Sequence, residues 1–206
     1  MRHLIYFSSS AATSGKALSG GDLMKAGRMD IAIHSFIQGV FLSHALRENV
    51  IFHFVFYGMP DPPKHIEIHP VTKQGIPSSG EEGETIDVSK RDVASLIQKL
   101  LYKYVPGEKR EVIKGCFIEK KSLLNVVDEL MKKGVEIFVL DKKGEDIRKA
   151  EIPENCGFVL GDHTGIPKKE LRRLKQLANS VSVGPKMYFA SQTVAVVNNE
   201  LDYRGI

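Results

Sequence analysis

The chain is predicted to be an α/β protein, a mainly parallel sheet flanked by helices. Three observations predict it. Residues 4–7, 49–56, 135–140 and 157–160 are short runs dominated by apolar side chains, the pattern of buried strands. Between them, residues 88–104 and 123–131 repeat their apolar positions at helical spacing, and strands alternating with helices favour a parallel sheet. Gly/Pro loops follow the apolar runs late in the chain, and loops at the carboxyl ends of buried strands are where open α/β proteins bind ligands. The length of 206 residues suits a single domain spanning 1–206.

In chain order, residues 4–7 make the first strand, and the Ser-, Ala- and Gly-rich residues 8–21 read as a flexible loop. Residues 28–46 carry Ile31, Phe36, Val40, Phe41 and Ala45 near helical spacing, so a helix is expected there. Residues 49–56 form a compact apolar and aromatic strand. Tyr57-Gly58-Met59-Pro60-Asp61-Pro62-Pro63 must turn, because prolines cannot continue a sheet interior. Ile66 and Ile68 alternate with Glu67 and His69, as in a strand closer to an edge. Residues 74–84 are a Gly/Ser/Glu loop. The helix over 88–104 buries Val93, Leu96, Ile97, Leu100 and Leu101, and the helix over 123–131 stops at Gly134. Strands follow at 135–140, 157–160 and 180–183. The segment from Pro167 to Lys175 is a helix whose buried side is marked by Leu171, Leu174 and Leu177. Residues 192–201 fit a strand or a helix, and Thr193-Val194-Ala195-Val196-Val197 favours strand by propensity. No fixed-period repeat occurs.

Composition narrows the class. Hydrophobic content of 42% and charged content of 26% suit a soluble globular protein. No apolar run reaches membrane-spanning length, and the first residues lack the apolar core and cleavage site of a signal peptide, so a cytoplasmic location without a membrane partner is expected. Cys116 and Cys156 stand in no CxxC or Cys/His spacing, so two semi-buried thiols and no metal site are expected. A net charge of +4 permits a nucleic-acid partner without demanding one. The local pattern is sharper, because Lys168, Lys169, Arg172 and Arg173 crowd one short helix. That face is either solvated or built to contact phosphates.

Several segments resemble a known family. Gly27-Arg28-Met29-Asp30, Phe41-Leu42-Ser43-His44-Ala45-Leu46-Arg47 and Phe56-Tyr57-Gly58-Met59-Pro60-Asp61-Pro62-Pro63 lie in the first half. Leu140, Leu160-Gly161-Asp162-His163, Ser182, Pro185 and Asn199-Glu200-Leu201-Asp202 lie in the second. Together they resemble the archaeal tRNA pseudouridine N1-methyltransferase family, which belongs to the knotted SPOUT methyltransferases. The resemblance implies a C-terminal trefoil knot, which no composition or periodicity reveals. It also implies a helix rather than a strand over 192–201, and a homodimer formed through the C-terminal helices, for which Val194, Val197 and Leu201 offer an apolar face. One segment departs from the pattern. Where the family carries a segment like ELHANHC, this chain has Met187-Tyr188-Phe189-Ala190-Ser191-Gln192-Thr193, so Thr193 stands at the cysteine position and Phe189 and Gln192 at the histidines.

The implied activity is methylation of pseudouridine N1 in tRNA, at position 54, with S-adenosyl-L-methionine as cofactor. A related methyltransferase for another RNA base, or a non-catalytic cofactor- and RNA-binding module, are the alternatives. The resemblance points to Leu140, Gly161, Val183, Gly184, Pro185, Lys186, Met187, Tyr188 and Thr193 for the cofactor. Methyl transfer to a ring nitrogen needs positioning and removal of the N1 proton. Asp30 is the expected acceptor of that proton and Arg28 the orienting cation, with helix capping as the competing role for Asp30. Asp61 reads as a turn residue, and Asp162 as a helix cap or a loop-fixing group. Lys168, Lys169, Arg172 and Arg173 are the expected contacts to tRNA phosphates.

Overall fold

The computed structural model describes residues 1–43, 45–70 and 89–206. His44 and the expected loop over 74–84 lie outside the described residues, as does the first residue of the expected 88–104 helix. The described chain runs β1 (Arg2–Ser8), α1 (Met29–Val40), β2 (Val50–Phe56), β3 (Lys64–Ile68), α2 (Lys90–Tyr102), β4 (Arg110–Ile113), β5 (Cys116–Glu119), α3 (Leu123–Lys132), β6 (Glu136–Asp146), β7 (Cys156–Gly161), α4 (Lys168–Leu177), β8 (Asn179–Ser182) and α5 (Ala190–Arg204). Local chemistry sets several boundaries. Ser89 and Asp92 cap the start of α2 reciprocally, the Ser122 hydroxyl accepts from Asn125 N at the start of α3, and Gly134 at φ +79° ends α3.

The eight strands form one mixed sheet in the order β4-β5-β3-β2-β1-β7-β6-β8. The section β2-β1-β7-β6-β8 is parallel, as expected. The pairings β2–β3, β3–β5 and β4–β5 are antiparallel. β3 is therefore an inner strand and not close to an edge, because the β4–β5 hairpin covers it. That hairpin has no clear sequence signature: β4 is Arg-Glu-Val-Ile, each strand has four residues, and Gly115 turns at φ +76°.

Both faces of the sheet are covered, which explains why its central strands are apolar on every side. Leu4 and Tyr6 of β1 face α1, α2 and α5, whereas Ile5 and Phe7 face α3 and α4. On the second face, His3, His53 and His65 are buried in a row across β1, β2 and β3. Desolvation lowers the His3 imidazole to about 4, and keeps those of His53 and His65 below their ordinary value.

Four further expectations change. The helix expected over 28–46 covers only Met29–Val40, and Phe41 is extended and bridges to Leu46. Its last carbonyls find a tertiary partner: the Asn198 side-chain amide donates to Gln38 O and Gly39 O at 3.3 and 3.0 Å. Residues 8–21 are tied down, with Ala11, Ala12 and Thr13 buried and a 3-10 turn over Gly15–Leu18. On α4, Leu174 is buried but Leu177 is exposed, because so short a helix turns only a narrow stripe inward. Val194, Val197 and Leu201 of α5 are fully buried in this chain's own core beside α1, so they cannot be a dimerisation face. Burial also pushes the thiols of Cys116 and Cys156 up, to about 12 and about 11. No helix among the described residues is long and apolar enough to cross a membrane.

Candidate active site

Three segments far apart in the chain meet at the carboxyl ends of β1, β2 and β7, around the loop that follows Ser8. The Ser8 hydroxyl donates to Asp162 Oδ2 at 2.6 Å and accepts from Ala11 N at 3.0 Å. The Ser10 hydroxyl donates to Gly27 O at 3.0 Å. Gly58 N donates to Ala11 O at 3.0 Å, and the Thr13 hydroxyl donates to Gly58 O at 2.8 Å. Gly27 and Gly58 are required here. A Cβ at Gly27, whose φ is +72°, would stand 1.8 Å from Ser10 O, and one at Gly58 would stand 2.3 Å from the same atom.

This loop brings Arg28 and Asp30 to the same end of the sheet. Arg28 precedes α1 in the left-handed conformation at φ 61°, the single non-glycine residue with positive φ among the described residues. Such a conformation costs about 1–2 kcal/mol. Arg28 Nε and Nη2 donate to Asp30 Oδ1 and Oδ2, both at 3.0 Å. Asp30 sits inside the first turn and does not cap the helix. The paired bonds from Arg28 hold its carboxyl below the ordinary carboxylate value. Asp61 is engaged elsewhere, since Lys64 Nζ donates to its Oδ2 at 2.6 Å and Lys120 to its Oδ1.

Beside these groups lies a cavity of about 710 Å³ walled by β6, β7 and the segment entering α5. Of the expected cofactor residues, Leu140, Gly161, Met187, Tyr188 and Thr193 line it. Val183 packs against the core, and Gly184, Pro185 and Lys186 form the approach to the wall without lining it. The Ser182 hydroxyl shapes that approach by accepting from Gly184 N at 3.2 Å. Phe189 and Gln192 also line the cavity, and Gln192 Oε1 accepts from Phe189 N at 3.0 Å, capping α5.

The Gly161 loop is held from within. Asp162 Oδ1 accepts from Thr164 N at 2.8 Å and from the Thr164 hydroxyl at 2.6 Å, so Asp162 fixes the loop and caps no helix. A Cβ on Gly161 would meet the Gly165 backbone at 2.6 Å, so this glycine permits the loop to fold back on itself. His163 is exposed and approaches Asp162 Oδ1 at 3.9 Å.

Sequence reasoning missed one wall. β6 pairs with β8 twice, with both Leu140 and Glu145 opposite Val181, so residues 141–144 bulge out of the sheet. Asp141, Lys142 and Lys143 line the cavity from that bulge, and Asp141 pairs with Lys175 of α4 at 2.7 Å. Gly144 was the available signal: a Cβ there would lie 2.5 Å from Val181 N. On the outer side of α4, Lys168, Lys169, Arg172 and Arg173 are exposed and make no ion pair among the described residues.

The cavity fits an S-adenosylmethionine-sized group. Its volume is within the usual range for ligand sites, Leu140, Leu160, Ile166 and Leu171 give apolar walls, and Thr193 and Tyr188 offer hydroxyls.

A family model described as "Putative SAM-dependent RNA methyltransferase" matches residues 1–206. A protein of Methanocella arvoryzae named tRNA (pseudouridine(54)-N(1))-methyltransferase is 35% identical, over 99% of this chain and 100% of its own. One of Methanococcoides burtonii with the same name is 32% identical over 98% and 96%. A Vibrio parahaemolyticus protein named "Putative pseudouridine methyltransferase" is 34% identical over 99% of both chains. Among solved structures, Archaeoglobus fulgidus Nep1 bound to S-adenosylhomocysteine matches with a TM-score of 0.60 and 14% identity, covering 100% of both chains.

Proposed function

The chain belongs to this family of S-adenosylmethionine-dependent RNA methyltransferases, and on that premise we propose that it methylates N1 of the pseudouridine at position 54 of tRNA, the reaction its archaeal relatives are named for. The observation that carries the reading is the convergence of the Gly27-Arg28-Met29-Asp30, Gly58 and Gly161-Asp162 segments on one loop beside the cavity.

In this reading Leu140, Gly161, Met187, Tyr188 and Thr193 hold the cofactor, and Val183, Gly184, Pro185 and Lys186 set the shape of the loop that does so. When bound, S-adenosylmethionine supplies a methyl group on a sulfonium, already activated for displacement. The protein's task is then to orient the base and receive its proton. Arg28 orients the base with paired donors, and Asp30, kept ionised by Arg28, accepts the hydrogen bond from N1–H. The strained backbone at Arg28 supports this role, because strain of that kind gathers at functional sites. Lys168, Lys169, Arg172 and Arg173 are cations available to tRNA phosphates.

The assembly belongs to the proposal as well. Met187 and Phe189 are 82% and 76% exposed at the cavity mouth, which favours a homodimer whose partner covers them. A single domain with a C-terminal trefoil knot of SPOUT type, working in the cytoplasm, completes it. The test is transfer of labelled methyl from S-adenosylmethionine to matched tRNAs carrying uridine or pseudouridine at position 54. Label confined to the pseudouridine tRNA is the expected result. Label on both tRNAs would favour another target base, the reading suggested by Phe189, Gln192 and Thr193, and label on neither would overturn catalysis on tRNA.

A further inference from the structure

The buried histidine row lies on the opposite face of the sheet from α1, near the amino ends of the parallel strands and away from the methyl-transfer cavity. His3 Nδ1 lies 3.0 Å from His53 Nε2, His53 Nδ1 lies 3.0 Å from His65 Nε2, and His65 Nδ1 lies 3.0 Å from Glu119 Oε1. Neighbouring rings are near parallel, with interplanar angles of 22° and 9°. Glu67, two residues from His65 on β3, points to the same face. One donor atom from each of His53, His65 and Glu67 falls within 4.8 Å of the other two.

We infer that His53, His65 and Glu67 form a binding site for a divalent cation of the zinc type, separate from the methyl-transfer site. Two imidazoles and a carboxylate are a donor set that suits such ions. A tetrahedral ion with bonds of about 2.0–2.2 Å spaces its donors about 3.3 Å apart. The His53 and His65 nitrogens stand within a few tenths of an ångström of that spacing, but their rings meet head-on with centroids 5.2 Å apart, so an ion would turn both rings off that axis as Glu67 closes on it.

The surroundings are those of a coordination site. The far nitrogen of each ligand ring is already held, that of His65 by Glu119 and that of His53 by His3. Such outer partners orient ligating imidazoles and fix which nitrogen faces the ion. Glu119 is itself anchored by Lys121 at 2.7 Å. Glu67 accepts from Lys109 at 2.8 Å and contacts His69 Nε2 at 2.6 Å, two of the roughly four lone-pair positions of a carboxylate. A cavity of about 290 Å³ adjoins the three residues, with room for water in a fourth position.

The experiment titrates chelator-treated protein with Co²⁺, read by visible absorption, and with Zn²⁺, read by calorimetry. One ion per chain with four-coordinate cobalt bands is expected. Glu67→Gln should abolish the bands. Glu119→Gln, which leaves all three ligands in place, should weaken binding about 10–100-fold. Circular dichroism and S-adenosylmethionine binding establish that each variant is folded. Absence of cobalt bands in the unmutated protein would overturn the inference and leave the row as hydrogen-bonded packing. Equal affinity in folded Glu67→Gln and the unmutated protein would overturn it too, because the ion would then sit elsewhere. Neither readout uses methyl transfer, so failure of the proposed activity would not affect the result.

Discussion

Asp202→Asn tests how the chain ends are clamped. Asp202 Oδ1 accepts from Arg2 at 2.8 Å and from Arg47 at 2.6 Å, and its Oδ2 accepts from Arg47 at 2.7 Å. The side chains of Arg2 and Arg47 are only 3% and 12% exposed, whereas that of Asp202 is 40% exposed. Stranding one partner of a fully buried pair costs about 3–5 kcal/mol. Here Arg2 keeps the Ile206 carbonyl and the Asn198 side chain, and solvent reaches the carboxylate. The expected loss is therefore about 2–3 kcal/mol, below the fully buried range. In a chain of this length that corresponds to a fall in Tm of about 4–12 °C. Burial pushes the Asp202 carboxyl up, but the bonds from Arg47 and Arg2 outweigh it and hold it below its ordinary 3.8. Its stabilisation is therefore complete above that pH and fades as pH falls through the folded value. Thermal melts of the two proteins at neutral pH and in acid measure both effects, and the gap between them should close in acid. The clamp sits at the amino ends of the parallel strands, so methylation by the folded variant at 25 °C should be unchanged. A fall in Tm under about 2 °C at neutral pH would refute the clamp, since that is less than about 1 kcal/mol.

Asp30→Asn should slow single-turnover methylation of pseudouridine tRNA about 10²–10⁴-fold while sparing cofactor binding, and near-equal rates would make Asp30 structural. Replacing Lys168, Lys169, Arg172 and Arg173 with Ala should weaken tRNA binding and flatten its log–log salt dependence by about 3, at about 0.7–0.9 per phosphate contact. An unchanged slope in filter binding would leave α4 merely solvated. Gly27→Ala should lower Tm and abolish methylation, because its Cβ meets Ser10 O at 1.8 Å. Gly107→Ala also has positive φ but meets nothing within 4 Å, so it should cost only about 1–2 kcal/mol and keep activity.

Much of the site was legible because it rests on local chemistry. Gly27, Gly58 and Gly161 stand where backbone must pass close to backbone, and such positions leave glycines in the sequence. Leu140, Met187, Tyr188 and Thr193 came from the family resemblance and not from periodicity or composition, and all four line the cavity. The cationic face of α4 was equally plain, since four charges on one short helix need no tertiary information. The β4–β5 hairpin escaped notice because four residues per strand, half of them polar in β4, are too few to show a periodicity.

By itself, the sequence determined the alternation of strands and helices, the strand-end loops and the family motifs, because propensity, period and turn chemistry act over a few residues. Only the tertiary structure decided which of these meet. It turned Val194, Val197 and Leu201 from a candidate interface into core, and revealed Asp202 as the partner of both Arg2 and Arg47. It bulged Asp141, Lys142 and Lys143 into the cavity wall, and aligned His3, His53, His65 and Glu119 across four strands. Those contacts depend on strand order and register, which are set by packing among elements far apart in the chain and leave no fixed spacing to read.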